Sequence, residues 1–397
     1  MNYQEIINKS VLDLPKSGIR KFFDIASTME DCISLGVGEP DFVTPWEIRD
    51  SAIKSIQSGR TQYTSNAGLI SFRKEIAYYV SSRYGVKYDP ENEIIVTIGA
   101  SEAIDLALRT IAGEGDEVLV PSPSYVSYLP SVALTGAKAV PVEPSVDDEF
   151  KLTPEVLKKA ITNKTKAIIF PYPNNPTGAI MTKEEMEKIT PIIKEHNLIV
   201  ISDEIYSELT YGDERHVSIA SLDGMWERTI LINGFSKAFA MTGWRLGYLC
   251  APKPLAEQMY KIHQYVIMCA PTASQIAGET ALKIGRNDGY RMVEEMRQEY
   301  DKRRRYLIAE FNKMGLDCFE PKGAFYVFPS LKRTGMTGEE FAEKLLFAKA
   351  VAVVPGSAFG ESGKNFIRCS YATSMKDLKE AIRRIREFLV EIGVIKD

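Results

Sequence analysis

Five short stretches carry polar side chains where apolar runs end, and their types allow one shared chemistry. Lys237 lies in "NGFSKAFAMTGWRLGY" (233–248), after the apolar run Thr229–Ile232 bounded by Gly234. The ends of strands in open α/β sheets are where ligands bind, so this lysine is either a surface charge or a nucleophile. "SDEIYSEL" (202–209) closes another apolar run with Asp203, Glu204 and then Tyr206. A carboxylate leaving a buried strand needs a cation or hydrogen-bond donors, because unpaired burial costs on the order of several kcal/mol. Spacing alone does not choose between Asp203 and Glu204. "PYPNNPTG" (171–178) holds Asn174 and Asn175; turn chemistry accounts for its prolines and Gly178 better than for two asparagines. "TIGASEAIDLAL" (97–108) reads as strand, Gly-Ala-Ser turn and helix. Small residues there admit an anion to backbone N–H groups, unless Ser101 simply caps the helix. In "FIRCSYA" (366–372), alternation sets Phe366, Arg368 and Ser370 on one face. A guanidinium among apolar neighbours suits a bound carboxylate, or a structural Asp or Glu partner.

Together these groups match the needs of pyridoxal 5'-phosphate. Its aldehyde takes a lysine amine, and its ring nitrogen stays protonated beside a carboxylate. Its ring oxygen accepts hydrogen bonds that Asn and Tyr can donate, and its phosphate wants a helix N-terminus and an arginine. A helix dipole offers about 0.3–1 kcal/mol, up to about 2 when partly buried. Charge-assisted bonds add about 1.5–3 kcal/mol each, which makes Arg245 the stronger anchor. Phosphate-loop, zinc-protease, dinucleotide and serine-hydrolase signatures are absent. Three histidines and five scattered cysteines predict neither a metal site nor disulfides.

The elements that must position these groups are legible as a rhythm. Seven short apolar runs fall at 93–98, 117–121, 138–142, 166–170, 198–202, 229–233 and 246–251. Most are continuously apolar, as in a mostly parallel sheet covered by helices on both faces. Crossover helices such as 183–196 fit between them. After about residue 285 the pattern changes to a long helix at 288–314, a strand at 324–328 and a helix near 338–349. Strands at 351–356 and 366–372 and a closing helix near 375–392 follow. The expected architecture is α/β: a large seven-stranded domain over 47–284, with 1–46 and 285–397 forming an N-terminal arm and a smaller α+β domain. "DKRRR" (301–305) reads as a solvated helix face. A net charge of −4 in 397 residues gives no support for nucleic acid or an anionic membrane as partner. No apolar stretch reaches membrane-spanning length, and the N-terminus lacks a signal-peptide core, so a cytoplasmic protein is expected.

These motifs resemble those of class I, fold-type I pyridoxal-phosphate aminotransferases, from "SGIRKF" (17–22) to the C-terminal helix. "SKAFAMTGWRLGY", "PNNPTG" and "SDEIY" are the specific segments. The resemblance implies that Lys237 bonds the cofactor and moves the proton, and that Asp203, rather than Glu204, holds the ring nitrogen protonated. It implies that Asn175 and Tyr206 bond the ring oxygen and that Tyr125 stacks on the ring. Ala100, Ser101, Ser236 and Arg245 would hold the phosphate, joined by Tyr63 from the neighbouring subunit of a homodimer with shared sites. Arg368 would clamp the substrate carboxylate, helped by Asn175 and Gly38. The implied reaction moves an α-amino group from an amino acid to the 2-oxo acid 2-oxoglutarate in two half-reactions. Alternatives are a related carbon–sulfur lyase or aminocyclopropane-forming enzyme, and a non-catalytic aminotransferase-like binding module. Intact "MTGWRLGY" opposes the lyases, and the short arm before "SGIRKF" opposes the module. Some prokaryotic aspartate aminotransferases carry a lysine where Ser101 stands. The resemblance extends to aromatic and N-acetyl-diaminopimelate aminotransferases, and an aromatic donor is expected over aspartate. Phe23, Tyr128 and "HQYVIMCAP" (263–271) are candidates for the side-chain pocket.

Overall fold

The computed structural model describes residues 1–14, 26, 28–213 and 215–396. "SGIRKF" and Phe23 lie outside the described residues. Twelve strands are formed among them: β1 (Ile33–Ser34), β2 (Ile94–Thr97), β3 (Glu117–Pro121), β4 (Lys138–Val142), β5 (Thr165–Phe170), β6 (Ile199–Asp203), β7 (Thr229–Gly234), β8 (Gly247–Cys250), β9 (Tyr326–Val327), β10 (Val351–Ala352), β11 (Val354–Pro355) and β12 (Ile367–Ser370). β2 to β8 build a seven-stranded sheet in the order β2-β8-β7-β6-β5-β3-β4. All neighbours pair in parallel except β8, which runs antiparallel to both β2 and β7.

The continuously apolar runs arise because both faces of this sheet are covered. Along β7, Leu231 packs into one core with Phe72, Phe235 and Tyr248, while Ile230 and Ile232 pack into another with Ala103, Leu106 and Met259. Along β5, Ile168 and Phe170 face the core of helix Lys183–Glu195, and Ala167 and Ile169 the opposite one. The outer strand β4, with Lys138 and Pro141 exposed, departs most from this pattern. Proline and lysine suit an edge.

Around β9, β11 and β12, an antiparallel trio in the order β11-β12-β9, a further core gathers Tyr300, Phe311, Phe325, Phe341 and Ile385. It is covered by helices Arg291–Lys313, Gly338–Lys349 and Met375–Glu391. β1 pairs in parallel with β10, so residues 33–35 join these elements. Two expectations change here. The run 351–356 is two strands, β10 and β11, serving different sheets. The long helix begins at Arg291, because Gly289 and Tyr290 both take left-handed backbone (φ +72° and +58°) and end the preceding helix Thr272–Asp288.

"DKRRR" is not a solvated face throughout. Arg303 and Arg304 are buried. Arg303 donates from Nη1 to both Asp41 oxygens (2.9 and 2.8 Å) and from Nε to Glu299 (3.1 Å). Arg304 binds Asp301, Glu320 and the Pro321 carbonyl. Arg303 thereby ties the segment "GVGEPDF" to the long helix.

The start of helix Gly99–Ile111 lies against β8. A Cβ on Gly247 would stand 2.6 Å from the Gly99 carbonyl carbon and 2.8 Å from the Ala100 nitrogen. Backbone cannot yield there as a flexible side chain would, and overpacking costs about 1–3 kcal/mol. Gly247→Ala is expected to lower unfolding free energy by about that amount in denaturant titrations; unchanged stability would contradict this packing.

Candidate active site

The parallel strands deliver their C-terminal ends to one rim, where open α/β sheets bind ligands. β6 ends at Asp203 beside Ile232 of β7. β5 runs into the Pro173–Asn175 turn, and β3 leads to Tyr125. Because β8 returns antiparallel to β7, the loop 235–246 carries Lys237 and Arg245 back over that rim. β2 ends at Thr97, opposite Gly247, and hands the chain to helix Gly99–Ile111.

A cavity of about 380 Å³ opens there. Gly38, Ala100, Ser101, Tyr125, Asn175 and Asp203 line it, with Tyr206, Ser236, Lys237, Arg245 and Arg368. Tyr63 does not line it; the residue is 79% exposed on the surface.

Lys237 donates from Nζ to the Gly38 carbonyl (2.6 Å) and lies 5.7 and 5.6 Å from the Tyr206 and Phe325 ring centres. Burial lowers its pKa to about 8; nearby Glu39 raises it, and the cations Arg368 and Arg245 lower it further. Asp203 is buried, and burial pushes its carboxyl upward. It accepts from the Tyr128 hydroxyl (2.7 Å) and the Ile205 N–H (3.2 Å), which favour the charged form. Glu204 points elsewhere, accepting from Ser202 and Ser218 and pairing with His216 at 2.7 Å.

Helix Gly99–Ile111 begins at an N-cap position occupied by Ile98, with no side-chain cap. The capping role open to Ser101 is therefore not taken, and the first N–H groups of the helix are left to a ligand. At Gly99 the left-handed backbone (φ +70°) favours glycine, and a Cβ there would stand 2.7 Å from Arg245 Nη2. The guanidinium thus stands directly beside the helix start.

Arg368 is buried in β12 with no carboxylate partner among the described residues. It donates to Asn175 Oδ1 (2.8 Å) and the Gly36 carbonyl (2.6 Å). Its guanidinium lies 4.3 Å from the Tyr326 ring centre and 4.8 Å from that of Phe359, and its Nε has no partner. A buried cation held by neutral groups retains the capacity to bind an anion. Asn174 instead accepts from Thr177 and shapes the turn.

Sequence reasoning misplaced or missed several residues. Tyr128 lines the cavity, but its hydroxyl is spent on Asp203. None of residues 263–271 lines the cavity; His263 is buried and Tyr265 to Met268 are exposed. Glu39, Thr242 and Tyr326 were missed, although Thr242 lies inside the lysine motif. Tyr326 bonds the Tyr206 hydroxyl at 2.9 Å, and the aromatic run 324–328 was the available signal for it. Among the described residues no cluster of three His, Cys, Asp or Glu side chains could hold a metal.

Residues 30–385 match the family described as aminotransferase class I and II. The chain belongs to that family. It is 53% identical to a putative aminotransferase of Bacillus subtilis (strain 168), over 96% of this chain and 97% of that protein. It is 48% identical to an aspartate aminotransferase of Pyrococcus abyssi, over 94% and 96%. The structure of an aromatic aminotransferase from Pyrococcus horikoshii superposes with a TM-score of 0.90 at 46% identity, covering 95% and 100% of the two chains.

This aminotransferase should show one unusually reactive lysine. In competitive acetylation of the cofactor-free chain read by peptide mass spectrometry, Lys237 is expected to gain reactivity with a midpoint near pH 8. Exposed lysines gain theirs near the ordinary value of about 10.4. A Lys237 midpoint at the ordinary value would contradict its burial.

Proposed function

We propose that this aminotransferase uses pyridoxal 5'-phosphate and transfers the α-amino group of an aromatic amino acid to 2-oxoglutarate, acting in the cytoplasm as a homodimer. The carrying observation is the donor set of one cavity: a lysine of lowered pKa, an uncapped helix start beside Arg245, and Arg368 without a carboxylate partner. That set fits the cofactor group by group. When bound, the cofactor supplies an aldehyde and a protonated ring that draws electrons from the substrate's α-carbon.

The chain's own groups then have distinct tasks. Lys237, neutral in a useful fraction near pH 8, attaches the cofactor and afterwards holds and moves the α-proton at Nζ. Asp203, whose charged form its two donors and Lys237 favour against the upward push of burial, keeps the ring nitrogen protonated. Asn175 spends Oδ1 on Arg368, leaving its amide N–H groups for the ring oxygen, which Tyr206 also bonds. Tyr125 covers the ring. The N–H groups at Ala100 and Ser101, the Ser236 hydroxyl and Arg245 hold the phosphate. Arg368 receives the substrate carboxylate in bidentate fashion, beside Asn175 and Gly38. Residues 47–284 serve as the cofactor-binding domain, and 1–46 with 285–397 as the smaller one. The exposed Tyr63, together with exposed Tyr265 and Val266, supports a face shared with a second copy, whose phosphate Tyr63 reaches.

The aromatic donor is supported by the lining itself. Tyr125, Tyr128 and Tyr326, with Ile104, Ile205 and Pro173, offer rings and aliphatic surface. The described lining offers no cation beyond Lys237, Arg245 and Arg368 for an aspartate side chain. An aspartate donor is the second reading, favoured by the name of the relative at 48% identity.

Turnover of purified protein with 2-oxoglutarate is expected to give higher kcat/KM for phenylalanine and tyrosine than for aspartate. Equal or higher aspartate turnover would overturn the donor assignment. Arg368→Lys keeps the charge and loses the fork, so kcat/KM should fall about 10- to 100-fold for every donor alike. A loss confined to one side-chain class would show that Arg368 does not hold the α-carboxylate.

A further inference from the structure

His263 is fully buried, and both of its ring nitrogens face oxygen. Nδ1 lies 2.7 Å from Glu102 Oε1, and Nε2 lies 2.8 Å from the Asn66 carbonyl. A backbone carbonyl only accepts, so Nε2 must donate; a carboxylate oxygen also accepts, so Nδ1 must donate too. One proton therefore lies between Nδ1 and Glu102, and the pair as a whole carries no net charge. A shift of the Nδ1 proton onto Glu102 would leave the pair equally neutral.

Glu102 stands in the first turn of helix Gly99–Ile111. Its second oxygen accepts the Ile98 N–H at 2.5 Å. It therefore secures the N-cap residue without occupying the N–H groups at Gly99, Ala100 and Ser101. Its charge, however, lies within a turn of the anion that those groups would hold. Left alone, that carboxylate would oppose a phosphate at the same helix end. On the other side of the ring, Nε2–H ties down Asn66 in the segment that also carries Tyr63. Gln275, buried as well, holds the same segment through Leu69 N–H and Thr64.

We infer that His263 is a positioning residue for the phosphate site: it cancels the charge of Glu102 at the helix start and locks the 62–68 segment against it. This rests on the proposed placement of the phosphate at Ala100, Ser101 and Arg245. His263 touches neither substrate nor cofactor and acts through Glu102. The substitutions separate charge from packing. In Glu102→Gln, a neutral His263 still donates to Asn66 and accepts from the new amide, while the amide oxygen takes the Ile98 N–H. All three bonds survive without any charge. In His263→Ala, Glu102 is left as an uncompensated anion.

The test is the dissociation constant of pyridoxal phosphate, of pyridoxal lacking the phosphate, and of inorganic phosphate, on the full chain freed of cofactor. H263A is expected to weaken pyridoxal phosphate by about tenfold and pyridoxal little, because only the former brings an anion to the helix start. E102Q should stay close to wild type, and H263A/E102Q should recover most of the affinity lost in H263A. A double variant no tighter than H263A, or an equal loss for pyridoxal, would reduce His263 to a packing residue and overturn the inference. Inorganic phosphate should rank the variants in the same order. If inorganic phosphate ranks wild type and variants in that order while the wild type does not bind pyridoxal phosphate, the cofactor reading fails and this assignment stands. Should H263A fail to fold, the 15N signals of the three histidines decide. His263 should carry one hydrogen in E102Q, and in wild type one proton should lie between Nδ1 and Glu102; a neutral ring facing an ionised Glu102, read from the carboxyl 13C signal, would overturn the assignment.

Discussion

Three cations, Lys237, Arg245 and Arg368, face one cavity, and none forms an ion pair there with a carboxylate among the described residues. This unbalanced charge is the constraint on which the site depends. Mutual repulsion and desolvation are costly for groups held by carbonyls, an amide and aromatic faces. The cost shows in Lys237, whose amine is pushed down to about 8 by burial and by both arginines. Anionic ligands relieve it. In the proposed reading, phosphate settles beside Arg245 and a substrate carboxylate on Arg368, while Asp203 supplies the one buried negative charge opposite a cationic ring. Two acids nearby are engaged elsewhere, Glu204 with His216 and two serines and Glu102 with His263 and Ile98. Glu39, bonded by Thr242 at the cavity, offsets part of the fall at Lys237 without pairing with it.

The fold sustains this arrangement by geometry. Parallel strands bring Asp203, Asn175 and Tyr125 to one rim, and the single reversal at β8 folds the lysine loop back over it. The β8–helix contact at Gly247 and Gly99 then sets the helix start beside Arg245. Arg303, from the long helix, fixes Asp41 and with it the segment whose Gly38 carbonyl receives Lys237. Positions in distant parts of the sequence thus converge on one amine.

Much of this was legible because chemistry-bearing residues at the ends of apolar runs have few other uses. Lys237 and the pair Asn174 and Asn175 stand out that way, Arg368 stands out as a cation inside an apolar strand, and the seven runs became seven strands. What stayed hidden depends on direction and neighbours. Asp203 and Glu204 are adjacent at a strand end and so face opposite sides, and only the packed sheet reveals which side is the cavity. Arg303 and Arg304 looked like a solvated charge run until Asp41, Asp301 and Glu320 were brought to them. The split between β10 and β11 follows from two sheets meeting at Val353, a tertiary fact without a local signature. Tyr128 carried no sign that its hydroxyl would serve a carboxylate 75 residues away.

The most direct test of the central claim is to incubate the full chain with pyridoxal phosphate, reduce with borohydride, and map the modified peptide by mass spectrometry. One stoichiometric adduct is expected, on Lys237. No adduct, or one on another lysine with Lys237 unmodified, would contradict it.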